Sequence, residues 1–173
     1  LAIFHPVTTD IKNLKSNTKS FVKALKKSNE NFILIYPNND LGSKIIIEEY
    51  KIIKSKKIKI FPSIRFEYYL TLLKNCKFIV GNSSSGIIEA PYYGVPTINV
   101  GDRQKNRAHL KSITNCNSKY ESIIRLIKRF SITKRFEKSF FFGLGKSNHK
   151  VMDVLKSKTI WKLDNQKQFK DII

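Results

Sequence analysis

Cysteine is scarce in this chain of 173 residues: Cys76 and Cys116 are the only two, and they lie far apart. They make neither a metal-ligand pair nor a redox motif, so free thiols are expected. His5, His109 and His149 are isolated from one another and from the cysteines. No metal site is expected from that distribution. Long apolar runs are missing too, and nothing approaches the ~20 residues of a membrane-spanning helix. The first residues, Leu1-Ala-Ile-Phe4, contain no Met and none of the charged, apolar and cleavage regions of a signal peptide. The chain opens as if inside a strand, as expected of a piece whose first part is missing, and a cytoplasmic location is expected. Internal repeats and linkers are also absent, so residues 1–173 are read as a single domain.

Acidic residues are few. There are 13 Asp and Glu against 33 Lys and Arg, a net charge of +20. Such an excess suits an anionic partner. The basic residues are nevertheless spread along the whole chain, mostly as Lys. No RNA-binding signature and no arginine cluster with interleaved aromatics accompanies them. Solvated lysine-rich faces are therefore expected, with no nucleic-acid or membrane partner, in a positive field that favours a ligand such as a nucleotide diphosphate.

What is present is an alternation of short apolar runs and amphipathic stretches. Strands are expected at residues 1–4, 32–36, 57–61, 78–80 and 97–100, with a short sixth at 109–114. Helices are expected at about 11–27, 44–54, 65–75, 118–130 and 147–156. Thr9 or Asp10 is placed to cap the first helix and Ser43 the second. The tail 159–173 has little pattern. Strands that alternate with helices and are nearly all apolar imply an α/β fold. The expected form is a Rossmann-like parallel sheet with helices on both faces.

The most informative stretch runs from Phe78 to Val100: a strand, the tract Gly81-Asn-Ser-Ser-Ser-Gly86, an apolar segment of helical spacing, and a second strand. The glycines allow a tight turn and a close approach to a ligand. The serines can cap a helix whose first N–H groups would hold a phosphate; an ordinary serine cap without a ligand fits the same residues. Ligands of open parallel sheets bind beyond the carboxyl ends of the strands. The segments expected there are His5-Pro6, 38–43, 63–66, 82–86 and 102–107, and four of the five carry groups suited to a nucleotide.

Four motifs occur in order: His5-Pro-Val-Thr-Thr-Asp10, Pro37-Asn-Asn-Asp40-Leu-Gly-Ser43, Gly81-Asn-Ser-Ser-Ser-Gly-Ile-Ile-Glu89, and Gly94-Val-Pro-Thr-Ile-Asn-Val-Gly-Asp-Arg103-Gln104. Together they resemble the carboxyl-terminal domain of UDP-N-acetylglucosamine 2-epimerases, most closely the hydrolysing branch of sialic and nonulosonic acid synthesis. The resemblance implies one half of a glycosyltransferase-B arrangement, in which an amino-terminal domain absent here would supply the other wall of the cleft and the bases for C2. It implies a UDP-sugar substrate, release of UDP and N-acetylmannosamine through a glycal, no cofactor, no metal, and a possible homo-oligomer. Carried onto this chain, it assigns His5 to departure of UDP and Ser83 and Ser84 to the diphosphate. Glu89 would take the ribose hydroxyls, Arg103 would add charge near the phosphates, and Ile64 and Phe66 would form the uracil pocket. Asp40 and Ser43 are left as turn and cap chemistry.

The pattern also departs from that family. Asn106-Arg107-Ala108 stands where Gly-Arg-Glu is expected, Phe142-Gly-Leu-Gly-Lys146 replaces Tyr-Gly-Asp-Gly-Asn, and Pro91 interrupts the helix after Glu89. With half the cleft missing, these residues alone are expected to be inactive. A glycosyltransferase half-domain and a non-catalytic nucleotide-binding remnant remain as alternatives.

Overall fold

The computed structural model describes residues 1–164 and 166. Six strands form one parallel sheet: β1 (Ala2–Ile3), β2 (Phe32–Ile35), β3 (Ile58–Phe61), β4 (Ile79–Gly81), β5 (Thr97–Val100) and β6 (Ile113–Cys116). Their order is β3-β2-β1-β4-β5-β6, a doubly wound Rossmann-like arrangement. The helices are α1 (Ile11–Lys27), α2 (Ser43–Lys51), α3 (Phe66–Asn75), α4 (Glu89–Tyr92), α5 (Tyr120–Phe130) and α6 (Ser147–Lys156).

Strand side chains alternate between faces, and here both faces are covered. Ala2, Phe4, Leu34, Val80, Ile98 and Val100 meet Phe21 and Leu25 of α1, Ile46 and Tyr50 of α2, and Ile123 and Ile127 of α5. On the other face, Leu1, Ile3, Ile35 and Ile79 meet Leu73 of α3 and Ala90 of α4. Each such aliphatic or aromatic side chain contributes about 1.5–3 kcal/mol by leaving water. The apolar stripe of α1 (Leu14, Phe21, Val22, Leu25) is what makes it a helix on this sheet. It ends where Asn29 turns left-handed at φ 64°.

Several sequence expectations are corrected. The sixth strand lies at Ile113–Cys116 rather than 109–114, because pairing Thr97 with Ile113 sets its register. Ser43 does not cap α2: Gly42 occupies the cap position at φ 93°. Asp10 sits at the α1 cap position, but its Oδ1 accepts from the Asn13 side chain at 2.7 Å rather than from the helix backbone. After β4, residues Ser84–Gly86 form a 3-10 turn, and α4 is only four residues long. A helix that short has little dipole to offer a phosphate.

Residues 1–139 make one compact unit and residues from 140 onward another. The first holds the sheet and α1 to α5. It closes with Phe136 and Ser139, whose backbone N–H groups donate to Gly94 O and Pro91 O, each at 2.9 Å. The second contains α6 and a 3-10 turn at Ile160–Lys162, with Trp161 Nε1 donating to Leu155 O at 2.8 Å. Of the tail 159–173, residues 165 and 167–173 lie outside the described residues. Among the described residues no helix is long and apolar enough to cross a membrane.

The order of strands reverses between β1 and β4, and the chain leaves these neighbours in opposite directions. Their carboxyl ends therefore open a crevice. Gly81 makes that crevice possible: its φ is 137°, and a Cβ there would sit 1.7 Å from the Ile3 carbonyl oxygen. Gly81→Ala is expected to cost on the order of 3 kcal/mol or more, a fall in Tm of roughly 6–12 °C. Gly143→Ala, also at positive φ (111°) but with nothing within 4 Å, is expected to cost only about 1 kcal/mol. Thermal denaturation of the two variants checks the contrast.

Candidate functional site

At the crevice, Asn82 follows Gly81 and is 1% exposed. Its backbone N–H donates to Ile3 O at 3.1 Å. Its side-chain Oδ1 accepts from the His5 backbone N–H at 2.6 Å, and its Nδ2 donates to His5 O at 2.9 Å. The amide thus continues the β1–β4 ladder after the strands have ended. It fixes where His5 leaves the sheet.

His5 opens into a cleft of about 250 Å³ lined by Ile64, Phe66, Tyr69, Ser83, Ser84, Ser85 and Glu89, with the ends of β1 and β2 as its floor. Six of the seven residues expected at the site, His5, Ile64, Phe66, Ser83, Ser84 and Glu89, share this cleft. A larger hollow of about 310 Å³ lies at the amino ends of the strands, beside Leu1, Phe32, Leu72 and Phe78. It is at the wrong end of a parallel sheet for a ligand. The seventh residue, Arg103, stands beside the cleft: its Nη1 donates to Asn82 O at 3.2 Å and its Nη2 is 3.7 Å from Asp40 Oδ2.

Each element presents a different chemistry. Ser83 Oγ accepts from Ser85 N at 3.3 Å, holding the 3-10 turn. Ser85 Oγ in turn accepts from the Tyr69 hydroxyl. Burial pushes Tyr69 up to about 12, with the Ser85 hydrogen bond opposing and Glu89 adding to the rise, so Tyr69 stays a neutral donor. Glu89 Oε2 is buried with no hydrogen-bond partner among the described residues. A carboxylate oxygen in that state is unfavourable until something donates to it. Phe66 is 62% exposed at the start of α3, a ring that the core does not use, while Ile64 packs partly against the core.

From the sequence, Asn38 and Asn82 fall in segments expected at the strand ends but receive no role, Tyr69 receives none, and Asp40 is left to turn chemistry. The structure joins Asn38 and Asp40 to the site. Asn38 N donates to His5 Nδ1 at 3.1 Å, Asn38 Oδ1 is 3.0 Å from the same nitrogen, and Asn38 Nδ2 donates to Asp40 Oδ2 at 2.6 Å.

A family model described as UDP-N-acetylglucosamine 2-epimerase matches residues 1–156. The chain belongs to that family. It is 42% identical over 175 residues to a UDP-N-acetylglucosamine 2-epimerase of Neisseria meningitidis serogroup B, across 99% of this chain and 46% of that protein. It is 37% identical over 117 residues to a GDP/UDP-N,N'-diacetylbacillosamine 2-epimerase (hydrolyzing) of Campylobacter jejuni, across 65% of this chain and 30% of that protein. The UDP-GlcNAc 2-epimerase of Methanocaldococcus jannaschii, solved in complex with UDP-GlcNAc and UDP, shares the fold at a TM-score of 0.71 and 20% identity. That match covers 89% of this chain and 44% of the other. The chain spans less than half the length of the curated relatives it matches. Its sheet is one half of the glycosyltransferase-B arrangement of this epimerase family.

Two predictions follow from the geometry. Asn82→Ala leaves the part-buried His5 N–H and C=O without their partners and is expected to cost about 2 kcal/mol, read from the denaturant midpoint at constant m. The second concerns pH. Burial, aided by the Arg103 guanidinium, holds the His5 imidazole below its ordinary range, against the opposing hydrogen bond from Asn38 and charge of Asp40. The unfolded chain then takes up a proton first as pH falls. This group's stabilisation is complete above the ordinary imidazole value of about 6.5 and is lost as pH drops toward the folded value. His5→Gln is expected to flatten the stability profile between about pH 7 and 5, measured by urea denaturation across that window.

Proposed function

We propose that this chain is the UDP-binding half of a UDP-N-acetylglucosamine 2-epimerase of the hydrolysing type. The observation that carries this reading is the buried, unpartnered Glu89 Oε2 in the same cleft as His5, Ser83 and Ser84. A carboxylate so placed suits a ligand that brings paired hydroxyls, as a ribose does. The Ser83 and Ser84 hydroxyls take the diphosphate. With α4 so short, these hydroxyls and the turn's own backbone do the work that a long helix would otherwise share. Ile64 and the exposed face of Phe66 take the uracil. Arg103, hydrogen-bonded to Asn82 O, adds positive charge beside His5.

In this reading the C1–O bond of UDP-N-acetylglucosamine breaks and UDP leaves with the electron pair. His5 donates to its diphosphate, and a base outside these residues takes the C2 proton. The glycal then adds water with inversion at C2, giving N-acetylmannosamine. An amino-terminal domain supplies that base and the other wall of the cleft. The hydrolysing branch is favoured by the ordered motifs and by the named activity of the Campylobacter relative. The whole enzyme serves cytoplasmic synthesis of sialic or related nonulosonic acids.

Calorimetric titration with UDP tests the binding half of this reading. Glu89→Ala is expected to weaken UDP at least about tenfold, the worth of a hydrogen-bonded carboxylate. Ser83→Ala, which also loses the turn's internal bond, is expected to weaken it about three- to tenfold. A protein carrying this chain behind an amino-terminal domain that releases no UDP from UDP-N-acetylglucosamine would overturn the catalytic half.

A further inference from the structure

Asn38 and Asp40 have no part in the mechanism above, yet they hold its central side chain. A neutral imidazole donates from one nitrogen and accepts at the other. The Asn38 backbone N–H, 3.1 Å from His5 Nδ1, can only donate, and Asn38 Oδ1, 3.0 Å from the same nitrogen, can only accept. Nδ1 therefore has a partner in Asn38 whether or not it carries a proton, and Nε2 is left to the cleft. When the ring takes a second proton, Nδ1 is a donor, and Asn38 Oδ1 is there to accept from it.

That acceptor stays in place because the amide cannot turn over. Asn38 Nδ2 donates to Asp40 Oδ2 at 2.6 Å, and a carboxylate offers only acceptors. Were the amide free to rotate, its NH2 group would face the N–H of the cationic ring. Asp40 is also the partner of Arg103 at 3.7 Å, so one carboxylate sets both the amide and the guanidinium that flank His5.

We propose that Asn38 and Asp40 are a positioning pair that holds the His5 ring through Nδ1 in both of its charge states and leaves Nε2 to the cleft. Its consequence for catalysis rests on the reading of the cleft as a UDP site: the departing diphosphate meets a ring nitrogen held in one place. Among the described residues, the charged groups acting on the ring are Arg103 and Asp40, and Glu89 and Tyr69 line the same cleft. Arg103 opposes the ring's second proton, and Asp40 and the Asn38 side chain favour it.

The test is long-range ¹⁵N correlation NMR of the labelled protein without ligand, from pH 8 to pH 5, with His109 and His149 as references. Asn38→Ala keeps the backbone donor but removes the side-chain acceptor for the cation; its His5 midpoint is expected to move to lower pH. Asp40→Asn is expected to move it the same way. Asn38→Asp, which restores an acceptor with charge, and Arg103→Gln are expected to move it to higher pH. Charge changes at Asp40 and Arg103 move the midpoint through space alone, so the uncharged Asn38→Ala decides: a midpoint in that variant that moves no more than those of the reference histidines would overturn the proposal. UDP titration of the same samples reads the binding proposal separately, so either can fail alone.

Discussion

The site depends on the close approach of two strand ends. β1 and β4 are neighbours in the sheet but diverge at their carboxyl ends, and two parallel chains that separate lose their mutual hydrogen bonds at once. Here the loss is postponed by one residue. The Asn82 side chain takes the place of a strand backbone, with Oδ1 and Nδ2 on His5 N and O at 2.6 and 2.9 Å. Gly81 permits this by leaving no Cβ where Ile3 O must pass. A buried amide that uses both its oxygen and its nitrogen is specific in a way that apolar packing is not, because a displaced partner costs a full desolvation penalty. Asn82 O also receives Arg103, so one residue relates the loops after β1, β4 and β5.

How much of this was legible in the sequence follows from the range of the interactions. The bounds of α1 and β5 are local matters of periodicity and runs of apolar residues, and Ile11–Lys27 and Thr97–Val100 stand where the pattern puts them. β6 is an edge strand with mixed burial. It carries no comparable apolar signal, and its register comes from β5. The serine tract reads as a helix cap because serine caps helices. In the chain, Pro91 and the close packing of Gly86 under Thr97 leave room only for a 3-10 turn and a single helical turn. His5, the serines and Glu89 stand out as chemistry in any reading. Asn38 and Asn82 do not, since each acts on a residue 33 or 77 positions away, and asparagine in a loop ordinarily signals only a turn.

The electrostatics of the resting cleft bear on how an anion could be held there. A net charge of +20 raises the local concentration of anions but does not point at one place. Within the site the available cations are restrained: His5 is held toward its neutral form by burial and Arg103, and Arg103 is partly offset by Asp40. Glu89 adds a buried carboxyl oxygen without a partner among the described residues. A diphosphate entering this cleft would therefore meet hydroxyls and N–H donors first, and full positive charge only from the side.

If the cleft holds a UDP-sugar as proposed, that arrangement suits the release of product. Strong fixed charge would hold substrate and departing diphosphate alike, lowering the ground state as much as the transition state. Donors that strengthen only as charge develops on the leaving oxygen favour the transition state instead. On the proposed reading of the cleft, a His5 whose Nδ1 has a partner in either charge state would be such a donor. Its protonation can follow the charge that appears beside it, because Asn38 offers a hydrogen-bond partner for both forms at about the same distance, 3.1 and 3.0 Å. Little rearrangement of the surroundings then opposes the change, and low reorganisation is the condition under which a neutral imidazole in a part-buried site can respond to a leaving diphosphate without being charged beforehand.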